Sequence, residues 1–329
     1  MKIQPAITDL YFSADTATAG DSRSYVDTMR ELSRVNRRLY EQGRMVAYQG
    51  LTYIWRDAAD YNAGSPSDPD TRSLQTIEVT VRTAGNTWIV HNAYVKGKAL
   101  WNEMQDLVLV DNPSIKGKWH DFKVQLWEGQ SSARQLSVKD GAGTDVIGGE
   151  WNIASYIMPQ HEVDPATGEP LAAVEYTPLL IGDDTASKRS LVKAYQESRA
   201  TVQPIDPNVP AAMSTSFFNL LTDSGSQEPE LADVIEDEND QPPYDTNEYV
   251  GGANNAATPM PVQYGAISSS EVDGRIGPFV APCGLIEIDI KGYDQTGVLW
   301  PTAQMPVVDL LLHVAPGTYK GVAAIPMGQ

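Results

Sequence analysis

Thr76–Thr83, TIEVTVRT, alternates without a break: Ile77, Val79 and Val81 point one way, Glu78, Thr80 and Arg82 the other. A strand turns successive side chains to opposite faces, so this pattern makes one dry and one wet surface. Working outward, similar signals recur. Leu10–Ser13, Met45–Arg56 (MVAYQGLTYIWR), Phe122–Trp127, Trp151–Met158, Val174–Ile181, Gly284–Ile290 and Val307–Val314 are rich in β-branched and aromatic residues and bounded by turn formers. Phe122, Val124 and Leu126 are expected to point inward, and Gly321–Ile325 to extend the last strand. About eight or nine short strands without an internal repeat predict a mainly β fold. The expected form is one antiparallel jelly-roll β-sandwich with inserted helices over residues 1–329, with a double jelly roll as the alternative.

Three helices interrupt the strands in this reading. Tyr25, Met29, Leu32, Asn36 and Leu39 recur at helical spacing behind an Asp21 or Ser22 cap and before Gly43, which predicts a helix over 22–42. A second is expected over 88–107, with Ala99, Leu100, Met104 and Leu107 on its inner face, and a third over 187–199. Ser216–Leu221 reads as a short helix, and NAGSPSDPD at 62–70 as a loop.

The charge is unevenly placed. The chain has a formal net charge of −19, and between Ala200 and Gly274 it holds 13 Asp and Glu and no Lys or Arg. The densest part, 223–250, is expected to be an acidic surface excursion facing solvent, because like charges repel and prefer water. Such a balance disfavours unspecific nucleic-acid binding. With a single cysteine, Cys283, no intrachain disulfide forms. The opening residues do not read as a secretory signal, and no run approaches the ~18 apolar residues of a membrane span.

Catalytic motifs are missing from the sequence. GQSSA at 129–133 lacks the second glycine of a nucleophile elbow, and GAGTDVIGG at 141–149 leads into no helix. His91, His120, His161 and His313 are too far apart for a helical metal pair. Glu236, Asp237 and Asp240 are weak calcium candidates, because hard cations take several carboxylate oxygens, but the EF-hand spacing is absent. No cofactor is expected. The positive signal is arginine: Arg30, Arg34, Arg37 and Arg38 share one stripe of the expected first helix. Guanidinium groups in a row suit the carboxylates of a neighbouring subunit or the phosphates of nucleic acid.

Three strings carry a resemblance. SRSYVDTMRELSRVNRRLYEQGRMVAYQGLTY (22–53), KALWNEMQDL (98–107) with GKWHDFKVQL (117–126), and GPFVAPCGLIEIDI (277–290) resemble capsid proteins of small tailless icosahedral viruses, of the environmental and marine single-stranded DNA type. The resemblance implies a jelly-roll subunit, not an enzyme, that assembles with itself into a virion shell inside a host cell. It also implies a viral genome and minor capsid proteins as partners. Residues 1–22 hold only Lys2, so the basic N-terminal arm of many such proteins is not expected in this stretch. The competing reading is a carbohydrate-binding or carbohydrate-active β-sandwich whose Trp residues stack on sugars. Burial of those rings would favour the shell.

Overall fold

The computed structural model describes residues 5–55, 74–115, 120–158, 174–199, 258–268, 271 and 273–328. The expected loop at 62–70, the helix at 216–221, the acidic excursion at 223–250, Trp119, His161 and the calcium candidates Glu236, Asp237 and Asp240 lie outside the described residues.

In chain order the elements are β1 (Asp9–Ala14), α1 (Thr16–Ala19), β2 (Arg23–Asp27), α2 (Thr28–Asn36), β3 (Arg44–Trp55), β4 (Leu74–Thr83) and α3 (Trp88–Asp111). They continue with β5 (Tyr156–Met158), β6 (Val174–Leu179), β7 (Lys188–Ser190) and α4 (Leu191–Arg199). The last are β8 (Met260–Ser268), β9 (Asp273–Ile276), β10 (Phe279–Ala281), β11 (Leu285–Asp294), β12 (Val308–Val314), β13 (Pro316–Tyr319) and β14 (Ala324–Pro326). The chain is mainly β, with antiparallel sheets and a curled half-barrel.

One sheet has the order β1-β12-β3-β10, with β9 and β14 also on β3; a second has the order β2-β11-β4-β8. A small sheet, β5-β6-β7, contains the one parallel pair among the named strands, β6 with β7. The strand that decides the fold behaves as its alternation demands. Ile77, Val79 and Val81 are fully buried, each burial contributing roughly 2 kcal/mol. They share one hydrophobic cluster with Leu10 and Phe12 of β1, Tyr53 of β3, Ile288 and Ile290 of β11, and Leu310 and Leu312 of β12. The two large sheets therefore bury their apolar sides together.

A second cluster joins α3 (Ile89, Val90, Tyr94, Trp101) to Phe122, Val124, Leu126, Leu180 and Val192, and meets the sheets at Tyr25, Cys283 and Leu285.

Several expectations are corrected. The helix expected at 22–42 begins as a strand: β2 pairs with β11, Tyr25 opposite Glu287, and only Thr28–Asn36 is helical. The third helix likewise opens as β7. On α3 the buried face is Ile89, Val90, Ala93, Tyr94, Gly97 and Trp101, whereas Leu100 and Leu107 are 50% and 70% exposed. Phe122–Trp127 forms no named strand, although Phe122, Val124 and Leu126 do point inward. On one side the segment bonds residues 178–181, with a parallel bridge of Gln125 to Leu179; on the other, side chains take the place of a strand. The Val124 amide donates to Gln42 Oε1 at 2.6 Å, Gln42 Nε2 donates to the Val124 carbonyl at 3.2 Å, and the Leu126 amide donates to Gln130 Oε1 at 2.7 Å.

Candidate functional site

The site built around the sequence-predicted arginines is a clamp centred on α2. Asp27 caps the helix, its Oδ1 accepting from the Arg30 amide at 3.1 Å. Met29 and Leu32 bury one side of the helix in the main core. Glu31 is fully buried and gathers three donors. Arg34 Nη1 lies 3.2 Å from both its oxygens, Arg30 Nε bonds Oε1, and the Val138 amide donates to Oε2 at 3.0 Å. Arg30 Nη2 also donates to the Leu136 carbonyl at 2.7 Å, and Arg34 Nη1 to Ser137 Oγ at 3.2 Å.

The four arginines do not form one stripe. The helix stops at Asn36, and Arg37 takes a left-handed conformation at φ 53° and is exposed. Arg38, beyond that break, donates to the carbonyls of Pro5 (3.1 Å) and Lys320 (3.3 Å). Asn36 bonds Ile7 through both its amide atoms, at 2.7 and 3.0 Å. Three of the four guanidiniums thus tie Pro5, Leu136, Ser137 and Lys320 to the helix and its C-terminal side, while Asn36 holds Ile7 and Glu31 holds Val138.

A polar joint lies behind the clamp. Asp27 Oδ2 accepts from Trp151 Nε1 at 2.8 Å and from Gln42 Nε2 at 3.2 Å. The Gln42 amide donates to Asp121 Oδ2 at 2.8 Å, and Lys98 Nζ stands 3.7 Å from Asp121 Oδ1. Burial pushes the Asp27 carboxyl up to about 6, against the pull of Arg30, and raises that of Asp121 as well. Burial lowers the Lys123 ammonium, which lies 5.1 Å from the Trp151 ring centre. On β11, Glu287 is fully buried and accepts from Trp127 Nε1 at 2.9 Å, its carboxyl raised by burial. Asp289, two residues on, accepts from Ser22 Oγ at 2.6 Å and stands 3.2 Å from Arg82 and 3.3 Å from Lys291.

These carboxylates are held by donors from the chain itself, and that is a structural role. The histidines lie apart. His313 bridges Asp9 (2.8 Å) and Thr52 (3.0 Å) on the first sheet, and His91 Nδ1 accepts from the Gly328 amide at 3.1 Å. Among the described residues no three His, Cys, Asp or Glu side chains gather to hold a metal ion. No helix among them is long and apolar enough to cross a membrane. A groove of about 570 Å3 opens between α3 and β7–α4, walled by Leu100, Met104, Leu107, Tyr156, Tyr176 and Tyr195. The Arg189 guanidinium sits 4.2 Å from the Tyr176 ring centre at its edge.

The arginine signal was visible in the sequence. Asp27 and Glu31 are also legible there as neighbours of opposite sign, Glu31 one residue after Arg30 and three before Arg34, and Asp27 three residues before Arg30, which suits a solvated helix face. What the pattern lacked was burial: only the fold shows that Glu31 is inside and draws the guanidiniums inward. Compared with protein-family models, with curated proteins and with solved structures, the chain matches none.

Proposed function

We propose that this chain is a structural shell subunit, the major capsid protein of a small tailless icosahedral virus, built on a single jelly roll and working without catalysis. The observation that carries the reading is the pairing of the strands. Eight positions are counted along the chain: β1, β2, β3, β4, β8, β9 with β10, β11 and β12. The first pairs with the last, the second with the seventh, the third with the sixth and the fourth with the fifth. This order of pairing, with alternate pairs falling in two sheets, is what a long hairpin wrapped as a jelly roll would give, and it supports that reading. One such wrapping accounts for both large sheets, which favours a single over a double jelly roll.

The resemblance to capsid proteins agrees with this arrangement. Its first and third strings hold β2, α2, β3, β10 and β11, and in space β2 lies on β11 and β10 on β3. The tryptophans weigh against the sugar-binding alternative. Trp55, Trp101 and Trp127 are buried and Trp88, Trp151 and Trp300 are half-buried, so no flat row of open indoles is offered for stacking among the described residues. In this reading the partners are other copies, the genome and minor capsid proteins, and the place of action is the virion.

Negative-stain images and sedimentation of the purified chain test the proposal. Closed particles of uniform size are expected. A homogeneous 35.9 kDa monomer at micromolar concentration would overturn it.

A further inference from the structure

The four edges of the two large sheets are protected unequally. Beside β1, the Lys139 amide donates to the Tyr11 carbonyl at 2.7 Å; beside β2, the Leu136 amide donates to the Tyr25 carbonyl at 2.8 Å. One segment, Gln135–Lys139, thus covers two edges. The edge formed by β9 and β10 is short and broken at Gly277–Pro278, and β9 carries the exposed pair Asp273 and Arg275. These are the usual devices that keep a strand edge from pairing with another chain.

The fourth edge is the least protected among the described residues, with a charged contact from Glu271, whose Oε2 accepts from the Ser268 amide at 3.0 Å at the very end of the strand. β8 ends its sheet, is nine residues long, and has no second strand hydrogen-bonded to it among the described residues, although β9 lies close by and Gln263 Nε2 donates to the Pro278 carbonyl at 3.0 Å. From Tyr249 to Ser270 the chain contains no charged residue. Past Pro261, Val262–Ser268 is a proline-free run in which Tyr264 is 57% exposed.

We propose that β8 is a dimerisation edge: two copies pair β8 antiparallel across a two-fold axis, joining their four-stranded sheets into one of eight. This deepens the shell reading, on which it rests for its place in a particle, by naming one subunit contact. The occupant follows from charge. Two chains of net charge −19 repel over most approaches, and a neutral strip is where their backbones can meet. A strand edge offers its unpaired N–H and C=O groups to a matching edge, and a two-fold axis supplies that match with the same strand.

Single cysteines at β8 in the full chain test this, because the native Cys283 is fully buried and silent. Val262→Cys, Tyr264→Cys and Ala266→Cys are oxidised beside Val298→Cys, which places a thiol on the exposed turn after β11, two strands in from the edge. The proposal expects a disulfide dimer of twice 35.9 kDa, with the yield highest at one β8 position and falling on either side of it. Ala266→Glu, which sets two carboxylates across the axis, is expected to shift sedimentation toward monomer while leaving the circular dichroism spectrum unchanged. Cross-linked dimers without particles would support the edge and defeat the shell. Particles whose β8 cysteines cross-link no better than Val298→Cys would defeat the edge and leave the shell standing. A monomer whose β8 amides resist hydrogen exchange would mean that the chain covers its own edge, and would overturn the proposal.

Discussion

Glu31 concentrates more donors than any other carboxylate in the clamp, and it does so out of contact with water. Breaking a buried ion pair from one side strands the remaining charge. Glu31→Gln keeps an acceptor for the Val138 amide but leaves Arg30 and Arg34 without their carboxylate. We expect a loss of about 3 kcal/mol, read as a lower urea midpoint at unchanged slope; an unchanged midpoint would show that the arginines find other acceptors. Asp27 sets a pH dependence of the opposite sense to a surface carboxylate. Its folded value of about 6 stands above its ordinary 3.8, so between them the folded chain keeps a proton that the unfolded chain has released. The stability it contributes is fully present below 3.8 and is lost as pH rises through about 6, amounting to about 3 kcal/mol. Asp121 and Glu287, raised by burial, act in the same sense. His91, lowered by burial, opposes them, because its contribution is lost as pH falls. Asp27→Asn should therefore remove part of the fall in melting temperature between pH 5 and 7, and parallel curves for the two proteins would refute the assignment.

At the scale of elements, β3 is the axis of the larger sheet, and Gly50 is its tightest point. The ladder with β12 shifts register there, His313 opposing Gly50 and Val314 opposing Tyr48. Gly50 sits at φ 144°, and a Cβ on it would drive into the Ile276 carbonyl oxygen of β9. Gly50→Ala meets a forbidden backbone conformation and a rigid neighbour together, so a loss of roughly 2 kcal/mol or more is expected. Thermal unfolding of this variant checks it; a near-normal melting temperature would mean that β9 can move aside. Gln42 is the counterpart on the second cluster, standing in for a strand beside Val124. Gln42→Ala would leave two buried backbone groups unpaired, costing about 2 kcal/mol, with faster hydrogen exchange at the Val124 amide as its signature. The strands that the sequence declared were those with alternation and a dry face, such as Ile77–Val81 and Leu310–Val314. β2 was hidden because Tyr25, Met29 and Leu32 also fit a helical step, and hydrogen bonding to β11 decided between the two. β8, β9 and β10 were missed because MPVQYGAIS, DGRI and FVA are short or broken by Pro and Gly and take their strand form from β4 and β3. The inner face of α3 was misassigned for a different reason: its second half carries Leu100, Leu107 and Val110 outside, 50%, 70% and 80% exposed, so hydrophobicity there does not report the core.

For the whole molecule the governing quantity is charge. The proposed shell would bring many copies of a −19 chain together, and the repulsion between them acts over the Debye length, about 30 Å at 0.01 M salt and about 8 Å at 0.15 M. In the proposed shell, contacts between subunits must be neutral or screened, as the uncharged β8 is. Assembly should therefore be weakened by dilution of salt, unlike binding driven by pairs of opposite charge, which salt weakens. Ten of the acids lie between Asp223 and Glu248, a stretch without a compensating cation. Replacing those ten by Asn and Gln leaves a formal charge of −9, by −19 + 10. We expect the concentration needed for assembly to rise as salt falls for the parent chain, and to vary much less for the neutralised one. Light scattering across a salt series reads both. Assembly of the parent that strengthens as salt is removed would mean that opposite charges hold the copies together. The exposed Arg37, set against the carboxylates of a neighbour, would then replace neutral strands as the contact between subunits.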